Sequence, residues 1–314
     1  MSPRARRQSD TTPAAVPVAV SGELFAPVSP GVELCYQTFG SPDDEPLLLV
    51  MGLGGPMTWW DHELCTMLAR RGFYVVRYDN RDTGRSSRSG ARVRRTTLLR
   101  AFAGTRVRAP YTLVHLADDG FGLLDHLGVE SAHVVGVSMG GMIAQTMAIA
   151  EPRRVRSLVS IMSTTGKRTV GWQHPGLLSS LLANRGVGRD AYIRSSATLW
   201  KMIGSPAYPQ TDERITARAG ETFDRGVSAS GVMRQMLAIL TQPNRGPRLH
   251  SLQMPALVVH GLADKMVHVS GGRATAAAIP GAELLLIDGM GHDVPPALFE
   301  TFVSAIRRTA DRAR

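Results

Sequence analysis

Lysine is almost missing from this chain. Of its 36 Lys and Arg residues only Lys167, Lys201 and Lys265 are lysine, so arginine carries the formal net charge of +10. Aromatic residues make up only 6%, and no nucleic-acid-binding motif accompanies the charge. Arg92, Arg94, Arg95, Arg100, Arg106 and Arg108 admit two readings, an anion-binding surface for nucleic acid or membrane and a merely solvated face. Without a motif or interleaved aromatics, the expectation is the solvated face and no nucleic-acid partner. The two cysteines, Cys35 and Cys65, lack metal-ligand spacing, and they are expected to be small buried hydrophobes rather than a disulfide or a ligand pair. No apolar run approaches the ~18 residues that span a bilayer, which excludes stable membrane insertion by a helix. There is no phosphate loop with Gly-Lys-Ser/Thr. Gly52-Leu-Gly54 follows an apolar run, but Met57 stands where a dinucleotide fingerprint needs its third glycine. No cofactor and no metal are therefore expected.

What is present is ordinary globular material: 43% hydrophobic and 20% charged over 314 residues, enough for one large domain or a domain with an insertion. Arg4, Arg6 and Arg7 imitate the start of a signal peptide. However, the run Ala14 to Val20 is short and broken by Pro17, so residues 1–21 are expected to be a disordered basic tail on a cytoplasmic chain. A hairpin is expected from 23 to 39. Apolar strands are expected at Pro46–Met51, Phe73–Tyr78, Ala132–Val137, Val155–Met162, Pro255–His260 and Ala282–Ile287. Helices are expected at Trp60–Arg71, Leu113–Leu127 and from Met139, and a terminal one at Pro295–Arg314. An Arg-rich connection precedes Leu113. The alternation predicts an α/β fold with a mostly parallel sheet covered on both faces. From 164 to 248 the pattern is helical with no strand. This gives a core of 22–163 and 249–314, and a helical cap of 164–248.

The stretch Gly136-Val-Ser138-Met-Gly140-Gly141 lies between an apolar strand and an apolar helix. A serine at such a sharp turn tolerates only small neighbours, and the turn lifts its hydroxyl above the sheet edge beside free helix amides. A hydroxyl at neutral pH needs a base, and the base needs an orienting acid. Of nine histidines, His292 lies in a Gly-rich loop just past the last strand, on the same sheet edge. His260, at a strand end, is the runner-up and is expected to shape a turn. Asp264 is the favoured acid, with Asp288 and Asp293 as alternatives. The order Ser138, Asp264, His292 is that of a Ser–acid–His triad. Oxyanion donors are expected from the backbone amides of Met139 and Leu53. Asp79-Asn-Arg-Asp-Thr-Gly-Arg-Ser86 reads as a hydrogen-bonded turn rather than a catalytic motif.

The segments Leu47–Gly54, Val76–Ser86, Gly136–Met142 and Asp288–Asp293 resemble the α/β-hydrolase superfamily. Within it they resemble actinobacterial carboxylesterases, including mycobacterial lipase/esterase-like proteins and aclacinomycin methylesterases, and Ile203–Pro209 resembles the mycobacterial group. The resemblance runs from about Gly22 to the C-terminus. Met51 departs from the His-Gly pair common in the superfamily. The expectation is a serine hydrolase that cleaves carboxylic esters through an acyl-enzyme, with an apolar small-molecule ester as substrate. The same triad would serve a cofactor-free perhydrolase, and a ligand-binding protein on this fold is the rival from another class. Trp172, Leu177, Leu181, Trp200, Met233, Met236 and Leu240 are candidates to line an apolar substrate pocket or to pack the cap onto the sheet.

Overall fold

The computed structural model describes residues 17–177 and 187–313. Eight strands form one sheet: β1 (Leu24–Ser29), β2 (Val32–Phe39), β3 (Glu45–Val50), β4 (Phe73–Tyr78), β5 (Ala132–Val137), β6 (Val155–Ile161), β7 (Ala256–Gly261) and β8 (Glu283–Ile287). Their order is β1-β2-β4-β3-β5-β6-β7-β8. β1 and β2 pair antiparallel, as do β2 and β4; every other pairing is parallel. All residues of β4, β5 and β7 are buried, because helices cover both faces of a parallel sheet and leave no polar side to alternate.

The pleat divides these strands between two cores. Leu48, Val50 and Val134 pack with the helices Leu113–His126 and Met139–Ala150 on one face. Leu47, Leu49, Val135 and Val137 pack with the helices His62–Arg70 and Phe299–Asp311 on the other. Because β3 to β8 run the same way, the loops that leave their C-terminal ends gather along one edge. Between β6 and β7 the described residues contain the helices Arg189–Ile203, Asp212–Asp224, Ala229–Leu240 and Gly246–Leu249 and no strand. Leu181 lies outside the described residues.

Two differences from expectation have simple causes. Ala19, Val20 and Ser21, expected in the tail, are joined to the sheet: Ser21 N–H donates to Thr38 O, Gly40 N–H donates to Ala19 O, and Val20 bridges Phe39. These are backbone bonds, so they leave no trace in side-chain pattern. The Arg-rich connection contains a helix, Arg95–Phe102. Only its Ala101 is buried, while Leu99 and Phe102 face outward. The inward apolar stripe that betrays a helix is therefore absent.

Candidate active site

Ser138 directly follows β5 and caps the helix Met139–Ala150 with φ 57° and ψ −117°, a conformation rare for a residue with a side chain. Glycines two positions away on either side permit this because they carry no Cβ. A Cβ on Gly136 would stand 2.1 Å from Gly140 O, and one on Gly140 would stand 2.0 Å from Val50 O. The backbone is pinned by Ser138 N–H donating to Ile161 O at 2.9 Å and by Ser163 Oγ donating to Ser138 O at 2.7 Å.

His292 Nε2 lies 3.0 Å from Ser138 Oγ, and His292 Nδ1 lies 2.7 Å from Asp264 Oδ2. The three side chains form one continuous relay, assembled from the loops after β5, β7 and β8. Asp264 is held on its far side by the Met266 and Val267 amides, at 2.8 and 2.9 Å to Oδ1. Burial pushes its carboxyl upward, but the charge of His292 and the hydrogen bonds of His260 and His292 outweigh this and hold it below the usual carboxylate range. Asp264 thus remains an anion available to orient a histidine and to balance an imidazolium.

The alternatives are employed elsewhere. Asp293 accepts hydrogen bonds from Ser205 and from Gln210 Nε2, and Asp288 accepts from the Gly289 amide. His260, fully buried, places Nε2 2.8 Å from Val267 O and 3.4 Å from Asp264 Oδ2, so it braces the acid rather than meeting the serine.

The loop after β3 approaches Ser138 closely, since a Cβ on Gly52 would come within 3.3 Å of Ser138 Cβ. Among the described residues no acceptor engages the Leu53 or Met139 amide. The same loop is fixed from three directions. Asn80 Nδ2 donates to Met51 O at 2.9 Å, Asp79 accepts the Met57 amide at 2.6 Å, and Gln235 Oε1 accepts the Gly54 amide at 2.8 Å.

The turn Asp79–Ser86 is therefore a junction between sheet and helical insertion. Asp79 also accepts from Arg225, and Asp82 takes both Nε and Nη2 of Arg234 at 2.7 and 2.6 Å. Burial pushes the Asp82 carboxyl up, but the bonds from Arg234, Tyr111 and the Ser89 amide more than offset it. Gln235, Arg234 and Arg225 were not identifiable from the sequence. They are ordinary polar residues in helical segments, and only the folded contacts show what they hold.

The proposed pocket residues separate. Trp200 packs edge-on against Trp59 at 5.0 Å, carries the Arg218 guanidinium over its ring at 4.1 Å, and lines a cavity of about 200 Å³ shared with Ser205, Gln210 and Asp293. Trp172 is 48% exposed and stacks on His268, and Leu177 is buried. Met233, Met236 and Leu240 are half-buried on the helix Ala229–Leu240. In that helix Val232 Cγ2 would stand 2.9 Å from a Cβ on Gly54, so the helix lies against the loop beside the serine. No helix among the described residues is long and apolar enough to cross a membrane, and they contain no His/Cys/Asp/Glu group suited to a metal ion.

Residues 45–295 match the family model of the alpha/beta hydrolase fold. The chain is 30% identical over 300 residues to a rhodomycin D methylesterase of Streptomyces sp. (strain C5), covering 88% of this chain and 94% of that protein. It is 26% identical over 281 residues to 3-oxoadipate enol-lactonase 2 of Acinetobacter baylyi, again covering 88% and 94%. Among solved structures, an esterase from Rhodococcus sp. ECU1013 is similar with a TM-score of 0.73 and 21% identity, covering 93% of this chain and 99% of that one. The parallel sheet, the strained strand-to-helix serine and the sequence match agree that the chain belongs to the α/β-hydrolase fold family.

Proposed function

We propose that this protein hydrolyses carboxylic esters through an acyl-enzyme formed on Ser138. The observation that carries the reading is the relay from Ser138 Oγ through His292 to Asp264, with bonds of 3.0 and 2.7 Å and the serine in a strained turn. His292 removes the hydroxyl proton as Ser138 attacks the ester carbonyl. Asp264 keeps Nδ1 protonated and balances the imidazolium that forms. The Leu53 and Met139 amides receive the developing oxyanion; one such donor is commonly worth about 10²–10³ in turnover. His292 then passes its proton to the departing alcohol, activates a water, and the acid is released. No cofactor enters the scheme. The names of the methylesterase and enol-lactonase relatives denote attack on an ester carbonyl, which supports the same chemistry here. The apolar side chains of Trp200, Met233 and Met236 suit an ester with an apolar portion.

The test is a series of p-nitrophenyl esters of rising acyl length, assayed with wild type and Ser138→Ala. Turnover that disappears in the variant is expected, and the chain-length optimum then reports pocket size. Wild-type rates in Ser138→Ala would refute the proposal.

A further inference from the structure

From Thr83 to Ala117 the chain contains no aspartate or glutamate. Arg92, Arg94, Arg95, Arg100, Arg106 and Arg108 all lie in that stretch, and all six are exposed. In their midst the helix Arg95–Phe102 turns two large apolar side chains to solvent: Leu99 is 68% exposed and Phe102 is 65% exposed. They stand three residues apart, on one face of the helix, with Arg95 one turn before Leu99. The adjacent stripe, Leu98 and Ala101, is the one turned inward. The helix is not a loose excursion. Arg168 donates to the Ala101 and Phe102 carbonyls at its C-terminus, Arg234 Nη1 donates to Ala91 O at 2.7 Å ahead of its N-terminus, and it packs against the helix Ala229–Leu240.

A solvated arginine face accounts for the charge but not for an apolar pair held outward at its centre. We propose that Leu99, Phe102 and the arginines around them form a surface that docks reversibly on anionic lipid. Anionic head groups neutralise the arginines while the two apolar side chains enter the head-group boundary, the division of labour of an interfacial helix. A second copy of this chain is disfavoured because two such faces would oppose like charges. Nucleic acid would match the arginines but leave the apolar pair unused. Two side chains on an eight-residue helix suit adsorption, not insertion. Docking by this face would bring the helix Ala229–Leu240, and with it the loop beside Ser138, close to the lipid surface.

The experiment is co-sedimentation of the full chain with vesicles of phosphatidylcholine alone and of equal parts phosphatidylcholine and phosphatidylglycerol. Two variants accompany wild type, Leu99→Ser with Phe102→Ser, and Arg94→Glu with Arg95→Glu and Arg100→Glu. A short DNA duplex serves as the competing ligand. Wild type is expected to bind the anionic vesicles, to bind phosphatidylcholine at least about tenfold more weakly, and to release with rising salt. Each variant is expected to lose about tenfold or more in vesicle affinity while keeping its circular dichroism and its rate on a water-soluble ester. Equal binding to both vesicles, or undiminished binding by the Leu99/Phe102 variant, would overturn the proposal. So would DNA binding tighter than vesicle binding and indifferent to Leu99 and Phe102. The binding readouts do not depend on ester hydrolysis, so they stand or fall separately from the proposed activity.

Discussion

Replacing Gln235 by leucine tests whether the helical insertion takes part in catalysis or only covers the sheet. Gln235 is fully buried. It accepts the Gly54 amide at 2.8 Å and donates from Nε2 to Arg81 O and Thr83 Oγ1, both at 2.9 Å. Leucine keeps the approximate volume and removes all three bonds. The Thr83 hydroxyl can turn to another partner, but the Gly54 N–H and Arg81 C=O are left unpaired, at about 1–3 kcal/mol each. A loss of about 3 kcal/mol follows, and at ~2–4 °C per kcal/mol the melting temperature should fall by roughly 6–12 °C. The catalytic effect is separable. Leu53 precedes Gly54, so freeing the Gly54 amide loosens the proposed oxyanion donor without deleting it. Complete loss of a donor costs about 10²–10³; loosening should cost about tenfold in kcat, or ~1.4 kcal/mol of barrier, and leave KM nearly unchanged because the bond strengthens only as charge develops. Gln235→Glu supplies the control. Its carboxylate still accepts from Gly54 but cannot donate, so it should recover most of kcat while remaining destabilised. Initial ester-hydrolysis rates and thermal unfolding on the same preparations decide the matter. If Gln235→Leu melts lower yet turns over at the wild-type rate, or if Glu is no better than Leu, the Gly54 bond does not govern the oxyanion loop.

Two further outcomes are expected. Asp264→Asn should fold, since the asparagine carbonyl can still receive the Met266 and Val267 amides, but it should lower kcat by about 10³–10⁴ because His292 loses the group that fixes its tautomer; a loss under tenfold would remove Asp264 from the mechanism. His133 is 1% exposed, and burial, reinforced by the nearby Arg156 charge, pushes its imidazole down to about 4. The unfolded chain takes up that proton near pH ~6.5, so between the two values the unfolded state binds more protons and stability falls as pH falls. The total is about 3 kcal/mol, complete near pH ~4 and absent above ~6.5. Urea denaturation across this range should show a shallower slope for His133→Gln, and parallel slopes would refute the assignment.

The parts of the site that were readable in the sequence share a physical property: each is written in local pattern. Gly136-x-Ser138-x-Gly140 is legible because the backbone there excludes side chains. Asp264 and His292 are legible because each follows a largely apolar strand, and strand ends in a parallel sheet share an edge. What stayed hidden depends on distant partners. Gln235 lies 181 positions from Gly54, and no periodicity in either segment announces the other. Asp79 and Asp82 read as turn residues in the sequence, yet their partners Arg225 and Arg234 come from the insertion. The helix Arg95–Phe102 leaves no core-facing apolar stripe in the sequence because Leu99 and Phe102 point outward, which is also why it carries the proposed lipid contact.

The arginine excess acquires a rationale when the guanidinium groups are sorted by environment. Along the edge that holds Ser138, arginine serves as a buried connector. Arg234 grips Asp82 with two nitrogens, Arg225 joins Asp79 and Glu23, and Arg245 donates to Gln145 and to the Thr164 carbonyl. A planar fork of five donors suits loops whose carbonyls and carboxylates must be satisfied away from water, a task a lysine ammonium performs less well. Buried ion pairs of this kind add little net stability over an apolar contact, but removing one partner strands the other charge at about 3–5 kcal/mol. They therefore disfavour any seating of the insertion that leaves a charge stranded. Of the helices that flank the site, Asp212–Asp224 is followed directly by Arg225, while Ala229–Leu240 contains both Arg234 and Gln235. Their registers against the loops after β3 and β4 are set by these polar contacts. The arginines between 92 and 108 belong to the other population, exposed and without an acid in their own segment, and there the same side chain is free to meet an external anion.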